Sequence, residues 1–547
     1  MTTLAPARER AVRTAGPAAW AGTAGLVRHG LRRDRVRITV WALAVGGLIA
    51  YVGAAIPAAY PDQAALQTRA AIMTDPSGAF MTGPGYGLDD YTLGVMVANE
   101  MLGMVAVAVA VMSILAVVRH TRAEEEAGRA DLVRAGAVGR SAPLAAALAV
   151  LVVANAAVGL VLLGALLVVG LVPADSLALV AGAATVGLVF GALAAVTAQL
   201  SAHARTASGA AGALLGLAYV LRGLGDAAER GGSVLSWTSP IGWAQQTRAF
   251  VDLRWWPLLP GVGLCALLVA AAFALAARRD VGAGLVPTRR GRVDARRALL
   301  SPTGLTWRTE RATVAWWAVG LGVFAVLTGS LAQGVVESLE AQPALADVLG
   351  GGAAGDVLSS TLAAFLAFFA MAVAVFAVVA TQRLTREEDA GRTGVVLAAA
   401  VSRPAWLGAS FTVTVVGCAV LLLAAGLGLG LGAAASVGDA GLTPSLTLAS
   451  LAYLPLVLCF GAAAALAHGL RTGAWWVWTL LVASILVGLY GPLLGLPDAV
   501  QDAAPFALVP RVPAEALTAR AVVVPTVVAV VLVAAAGVAL RRRDLTA

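Results

Sequence analysis

Long apolar runs are the feature of this sequence that most restricts its fold. Runs of about 20 residues recur along the chain, separated by short polar stretches. Because an α-helix rises about 1.5 Å per residue, each such run can cross a hydrocarbon core about 30 Å thick. Only 12% of the residues are charged, against roughly 25% in soluble domains. The sequence therefore predicts an all-α polytopic membrane protein.

The apolar runs predict about twelve transmembrane helices. The first set is 38–58, 92–118, 142–171, 177–200, 208–221 and 257–277. The second set is 312–333, 358–380, 404–434, 443–466, 473–493 and 520–540. The fifth run is short, which predicts a broken or partly re-entrant segment. These boundaries leave Glu100 as the only charged residue well inside a span.

The distribution of arginine predicts the orientation of the chain. All 38 basic residues are arginines, and basic residues concentrate in cytoplasmic loops. With a cytoplasmic N-terminus, the arginines left outside are Arg69, Arg222, Arg230, Arg248, Arg254, Arg511 and Arg520. The Arg-, Ala- and Gly-rich composition indicates a bacterial source. We therefore predict a bacterial inner (plasma) membrane protein with both termini in the cytoplasm.

Four landmarks recur in the same order in the two halves of the chain. The pairs are RVRITVW (35–41) with RATVAWW (311–317), EEEAGR (124–129) with EEDAGR (387–392), Ala202-His203 with Ala467-His468, and RRD (278–280) with RRD (542–544). Each half holds six predicted spans, an even number, so both halves have the same orientation. The sequence therefore predicts two parallel pseudo-symmetric six-helix halves.

This repeat divides the chain into four segments. They are a cytoplasmic N-terminal segment (1–37), a first six-span half (38–277), a basic cytoplasmic linker (278–311) and a second six-span half (312–547). The linker is rich in arginine, which favours a position near anionic lipid headgroups. A solvated linker that also sets the topology is the simpler interpretation.

Several kinds of chemistry are excluded or disfavoured by residue content. A Walker A loop needs a lysine to reach the nucleotide phosphates, and the chain has none. Cys265, Cys418 and Cys459 all lie in apolar runs, where cysteine usually behaves as a small hydrophobe. We therefore predict no catalytic residue, no metal site, no cofactor bound by this chain and no nucleic-acid partner.

The loop after the second span of each half carries the strongest functional signal. An acidic triplet, a glycine, an apolar patch and a closing arginine predict a short amphipathic cytoplasmic helix. Two such loops on one face suit docking of two copies of one partner, although a charged loop that caps its neighbouring helices is the alternative. The candidate residues are Glu124, Glu125, Glu126, Gly128, Arg129 and Arg140, with Glu387, Glu388, Asp389, Gly391, Arg392 and Arg403.

These loops resemble the cytoplasmic loop of ABC-2-type permeases, whose usual form is Glu-x-Gly-Thr, a Leu-rich stretch and a Pro-x-Ser-Arg ending. Ser402 and Arg403 keep that ending, whereas Arg129 and Arg392 replace the usual threonine. The double-length layout resembles an actinobacterial branch described as polyketide-antibiotic exporters of the tetronasin type. The resemblance implies that the loops are coupling helices seated on a separate ATPase subunit. It also implies an amphipathic interface helix, which residues 19–37 fit.

We therefore expect the permease subunit of an ABC exporter for hydrophobic or amphipathic compounds such as antibiotics. A nucleotide-binding subunit, expected as a homodimer, would hold ATP and Mg²⁺. A twelve-span proton-coupled drug antiporter is the alternative, disfavoured because such pumps usually keep several buried ionisable groups. A membrane enzyme such as a lipid-linked glycosyltransferase ranks last, since the clustered carboxylates lie mostly in cytoplasmic loops.

Asn99 and Glu100 form the remaining candidate site. A carboxylate inside a membrane is costly unless it is paired or hydrated, so it raises a functional hypothesis by default. Glu100 could contact a cationic or polar group of a substrate. It could equally be a neutral, hydrogen-bonded side chain between helices.

Overall fold

The computed structural model describes residues 17–60, 62–70, 73, 76–280, 282–286, 294–295, 297–333, 354–490 and 497–544. The regular structure of these residues is helical, and it includes no strand. Eleven of the described helices are long and apolar enough to cross a membrane, and a further apolar helix, Trp475–Gly488, is shorter. The predicted all-α polytopic membrane fold is confirmed.

The helices belong to two compact units, Met1–Arg290 and Gly291–Ala547. The long helices of the first unit are α1 (Thr23–Ala59), α2 (Leu102–His120), α3 (Ala142–Val168), α4 (Pro173–Leu200), α5 (Ala204–Ala228) and α6 (Leu259–Ala276). Those of the second unit are α7 (Pro302–Ser330), α8 (Ala354–Thr381), α9 (Arg403–Val437), α10 (Leu454–Leu470), α11 (Trp475–Tyr490) and α12 (Ala519–Arg542). Residues Leu93–Met96 and the π-helical turn Val97–Met101 lead into α2, and Leu442–Ser450 leads towards α10.

Corresponding helices are neighbours in the two units. In the first unit α1 packs along α3, α2 along α4, and α4 along α6. In the second unit α7 packs along α9, α8 along α10, and α10 along α12. Each unit has its own main hydrophobic core, and alanine contributes many of its buried residues. Each bundle therefore builds its core from the same set of helix pairs.

Hydroxyl caps begin three helices of the second unit. The side-chain oxygens of Ser301, Ser402 and Thr518 accept hydrogen bonds from backbone N–H groups at the starts of α7, α9 and α12. Such caps satisfy donors that have no partner within the helix. Proline occupies the first turn of α7 and α9, where its missing N–H removes no helical hydrogen bond.

The first helix of each unit extends beyond its predicted apolar run. Helix α1 is continuous from Thr23 to Ala59, rather than dividing near residue 37 into an interface helix and a span. Helix α7 begins at Pro302, well before the predicted 312. Hydropathy locates only the apolar part of a helix. The helix itself can continue through polar turns beyond that part. Residues 1–16 and 287–293 of the predicted terminal and linker segments lie outside the described residues.

The prediction of a broken fifth span is wrong. Helix α5 is a continuous 25-residue helix, and it buries Arg222 together with Asp226. Arg222 Nη1 lies 3.2 Å from Asp226 Oδ2, one helical turn away. Glu100 is therefore not the only charged residue inside a helix of the bundle. Opposite charges at positions i and i+4 of a helix can be buried together as a pair. Hydropathy counts each of the two charges as unfavourable for a membrane span, and this made the predicted fifth run too short.

Glycines allow the closest approach between helices of the second unit. An added methyl group at Gly432 would lie 2.1 Å from the Val326 carbonyl oxygen of α7, and one at Gly428 would lie 2.4 Å from that of Gly322. Gly428 and Gly432 are four residues apart on one face of α9, the spacing at which small residues let membrane helices approach closely. The contact between α7 and α9 therefore depends on the absence of side chains at these positions.

We expect Gly432→Leu to destabilise the protein by about 1–3 kcal/mol or more, because the two backbones must separate. Gly408→Leu on the same helix is the matched control, since no atom lies within 4 Å of an added methyl group there. Thermal unfolding in detergent measures both variants. Equal melting temperatures for the two would contradict the close-packed contact.

Candidate functional site

The loop after the second long helix has the same local structure in both units. A short helix ends at a glycine in the left-handed conformation, and a second short helix follows. In the first unit these are Arg122–Glu126, Gly128 (φ 71°) and Arg129–Arg134. In the second they are Arg383–Asp389, Gly391 (φ 69°) and Arg392–Leu397. Positive φ costs glycine little because it has no Cβ, so both glycines permit this turn.

The first acid of each triplet bridges its glycine turn. Glu124 accepts hydrogen bonds from Arg129 Nε at 2.8 Å and Nη2 at 2.9 Å. Glu387 accepts from Arg392 Nε at 2.7 Å and Nη2 at 3.2 Å. Glu124 also accepts from Arg33 of α1 at 2.6 Å. This fork-shaped pairing holds the two short helices of each loop together.

The second acid of each triplet connects the loop to the end of the last helix of its unit. Glu125 accepts from Arg279 Nη1 at 2.8 Å, just beyond α6. Glu388 accepts from Arg543 Nη1 at 2.7 Å and Nη2 at 2.5 Å, at the end of α12. The side chains of Glu125 and Glu388 are only 11% and 4% exposed. We call these two contacts the loop–helix ion pairs.

The third acids differ between the units. Glu126 accepts a hydrogen bond from the backbone N–H of Ala204 at 2.9 Å, in the first turn of α5. It thereby satisfies a free donor at a helix N-terminus, where negative charge is favourable. Asp389 is exposed. In the second unit His468 lies near the middle acid instead, with its Nε2 3.5 Å from Glu388.

The closing arginine of each loop contacts the end of the last helix as well. Arg140 donates to the carbonyl oxygen of Ala277 at 2.8 Å, and Arg403 donates to those of Leu540 at 3.2 Å and Arg543 at 2.5 Å. The last carbonyls of a helix have no partner within it and carry partial negative charge, so a guanidinium stabilises them. The loop–helix ion pair and this cap together anchor each loop at two points.

Sequence reasoning missed a further acid on the first helix of each unit. Asp34 Oδ2 lies 2.8 Å from His120 Nε2 at the end of α2. Glu310 Oε1 accepts from Arg383 Nη1 at 2.8 Å, just beyond α8. A signal was present, because Asp34 directly precedes the RVRITVW landmark and Glu310 directly precedes RATVAWW. The repeat therefore includes a fourth recurring type of contact, which starts from an acid on the first helix of each unit.

Exposed apolar side chains remain on the second short helix of each loop. Leu132 is 78% exposed and Val395 is 77% exposed, and they occupy equivalent positions after EEEAGR and EEDAGR. Arg129 and Arg392 are exposed beside them. We call Leu132 with Arg129, and Val395 with Arg392, the loop knobs. The loop acids hold the loops in place, and the knobs are what each loop presents outwards.

Glu100 is buried in the π-helical turn and pairs with an arginine from the preceding polar segment. It accepts from Arg69 Nε at 2.9 Å and Nη2 at 2.6 Å, and from the Tyr91 hydroxyl at 2.9 Å. Burial and the Glu100 carboxylate raise the pKa of Tyr91, so its hydroxyl stays protonated and donates. Glu100 therefore has a cationic partner within the unit.

Asn99 contacts the segment ahead of α2. Its Oδ1 accepts from the Tyr86 backbone N–H at 3.1 Å, and its Nδ2 donates to the Tyr86 carbonyl at 2.8 Å. Both polar ends of the amide are therefore used within the unit. Among the described residues, no group of three or more His, Cys, Asp and Glu side chains is arranged to hold a metal ion.

Comparison with known proteins agrees with this architecture. A family model described as the C-terminal domain of the multidrug efflux system permease Rv1217c matches residues 24–276 and 299–541. The chain belongs to this multidrug efflux permease family. It is also 37% identical over 529 residues to the multidrug efflux system permease protein Rv1217c of Mycobacterium tuberculosis (strain ATCC 25618 / H37Rv). That alignment covers 96% of this chain and 95% of the relative.

The two stretches matched by the family model coincide with the two structural units of this permease. Residues 24–276 lie in the first unit and 299–541 in the second. The expected resemblance to multidrug exporter permeases is confirmed. The chain is a multi-pass membrane permease. The coupling, ATPase and substrate-pathway roles of individual residues stay predictions.

We expect Glu388→Ala to destabilise this permease by about 2–4 kcal/mol, since the largely buried Arg543 guanidinium loses its main carboxylate partner. Asp389→Ala, at the exposed neighbouring acid, is the control and should cost little. Thermal unfolding in detergent gives both values. If the two variants melt at the same temperature, the loop–helix ion pair does not hold the loop.

We expect Glu100→Ala to cost about 1–3 kcal/mol, because Arg69 and Tyr91 lose a buried acceptor. Asp89→Ala is the matched control: Asp89 is fully exposed and lies 3.8 Å from Arg230, a contact worth little. The double variant Arg69→Ala/Glu100→Ala should cost less than the sum of the single changes. Additive losses would show that the pair is not coupled.

Proposed function

We propose that this permease is the membrane subunit of an ABC exporter, driven by separate ATPase subunits that dock on the two loops. The loop knobs carry this proposal. Two exposed apolar side chains, Leu132 and Val395, lie in equivalent positions on two loops of the same local structure. A repeated surface of this kind suits two copies of one partner, which we propose to be a nucleotide-binding homodimer.

The anchoring of the loops suggests how ATP hydrolysis could act on the bundle. Each loop is bound to the last helix of its unit through Glu125–Arg279 or Glu388–Arg543, and to the first helix through Arg33–Glu124 or Glu310–Arg383. A force applied to a knob would therefore reach the first, second and last helices of that unit together. ATP and Mg²⁺ would be held by the partner, since this chain has no lysine for a Walker A loop.

We propose that the transported compounds are hydrophobic or amphipathic drugs or antibiotics. The relative is named as part of a multidrug efflux system, and the Ala-, Leu- and Val-rich helices favour apolar ligands. We place the protein in the bacterial plasma membrane with both termini and both loops in the cytoplasm, on the arginine distribution. Export is then directed away from the ATPase side.

A proton-coupled antiporter is less well supported. Such pumps usually use buried carboxylates that can exchange a proton during transport. Glu100 and Asp226, two buried carboxylates at the other end of the first unit, each pair with an arginine. A role for Asn99 and Glu100 in the substrate pathway stays a prediction, and their contacts within the unit favour a structural one.

The test is Leu132→Asp/Val395→Asp. We expect this variant to fold but to lose a co-purifying P-loop ATPase, to lose ATP hydrolysis in proteoliposomes, and to make cells as drug-sensitive as a deletion strain. The physical reason is that a carboxylate in an apolar docking surface must lose its hydration without gaining a partner.

The matched control is Val286→Asp/Leu300→Asp, which adds the same charge at exposed apolar positions on the same predicted side of the membrane, outside the loops. This control should keep ATPase binding and drug export. The proposal fails if the knob variant exports drugs as well as the wild type. Export that instead stops when the proton gradient is collapsed, with ATP present, would favour the antiporter.

A further inference from the structure

Among the exposed arginines of the first helix of each unit, two lie one turn apart at equivalent positions. They are Arg32 and Arg35 on α1, and Arg308 and Arg311 on α7. Residues three apart lie on the same face of a helix. Both pairs have the same place relative to the RVRITVW and RATVAWW landmarks. The two units therefore present the same double positive charge, which we call the arginine pairs.

The acids of these helices do not neutralise the arginine pairs. Asp34 and Glu310 point towards the bundle, where they contact His120 and Arg383. Among the ion pairs of the described residues, α1 contributes Arg33 and Arg37 but neither member of its arginine pair. Arg308 and Arg311 likewise take part in no ion pair within that part of the chain. These guanidinium groups are thus exposed, and none of them has a carboxylate partner among the described residues.

The same helical stripe becomes apolar towards the middle of the helix. Leu43 is 63% exposed on α1, and Val319, at the equivalent position on α7, is 56% exposed. Each lies eight residues beyond the second arginine of its pair, which is about 12 Å along a helix. Each stripe therefore joins a doubly cationic end to an apolar surface.

We propose that each arginine pair binds the headgroup phosphate of an anionic phospholipid whose acyl chains follow the apolar part of the stripe. Guanidinium groups bind phosphate oxygens through paired, charge-assisted hydrogen bonds. A phospholipid has an anionic headgroup followed by apolar acyl chains. These two parts match the arginine pair and the apolar surface that follows it along the helix. An anionic headgroup is favoured over a zwitterionic one because the phosphate charge is not offset by a neighbouring ammonium group.

The bound lipid would fix the depth of α1 and α7 in the membrane. These helices also carry Asp34 and Glu310, which contact the loop regions. The lipid sites would thus lie on the side of each helix opposite to its loop contact. This inference concerns lipid binding alone and does not depend on the nature of the energy source.

The test is native mass spectrometry of the purified permease with equal amounts of phosphatidylglycerol and phosphatidylcholine that carry the same acyl chains. We expect the wild type to retain phosphatidylglycerol preferentially. Arg32→Gln/Arg35→Gln and Arg308→Gln/Arg311→Gln should each lower the affinity for retained phosphatidylglycerol about tenfold or more, since each arginine near a membrane surface contributes substantially to anionic-lipid binding. Combining all four changes should remove the preference.

The control is Arg134→Gln/Arg205→Gln, which removes the same charge from exposed arginines on the same predicted side. It should retain the lipid preference of the wild type. Arg32→Lys/Arg35→Lys keeps the charge and should keep part of the lipid binding. If the glutamine variant does not fold, the lysine variant tests the same arginine pair. Inorganic phosphate should not displace the lipid.

Three results would overturn the proposal. Equal retention of phosphatidylcholine would show that the headgroup charge is not recognised. An equal loss of lipid in the Arg134/Arg205 control would show that only the net charge of the protein matters. Displacement of the lipid by inorganic phosphate would show an anion site that does not use the acyl chains.

Discussion

A largely buried ion pair between a loop carboxylate and an arginine at the end of the last helix organises each unit. Glu125 with Arg279, and Glu388 with Arg543, close the bundle at the end that carries the loops. A buried charge is stable only while its partner is present, so each pair fixes the position of its loop. The short helices beyond it can then hold Leu132 and Val395 outwards in a defined orientation.

The two units have the same contacts at the end that carries the loop, and they differ at the opposite end. The contacts of the first helix, the glycine turns, the loop–helix ion pairs and the arginine caps recur in both. The Glu100–Arg69 pair does not recur in the described part, because a buried alanine, Ala363, stands at the position that corresponds to Glu100. The two halves of this permease have thus kept the loop end in common while their opposite ends diverged.

Much of the fold follows from the sequence, because lipid imposes a simple rule. A backbone in hydrocarbon must form a helix of sufficient length, so apolar runs locate the helices. The rule is weaker at helix ends and for polar helices. Helix α1 continues through its arginine-rich turns, and α5 spans 25 residues despite Arg222 and Asp226. Hydropathy scores these residues one by one, whereas their pairing and exposure decide whether the helix continues.

The sequence by itself determined the helical class, the repeat and the location of the two loops. It also indicated which residue types the loops contain, since the EEEAGR and EEDAGR segments recur in register. Only the tertiary structure decided which acid of each triplet is buried and which side chains face outwards. The partners of Glu125 and Glu388 lie 154 and 155 residues further along the chain. Local periodicity carries no information on such contacts, because they depend on which helices pack together.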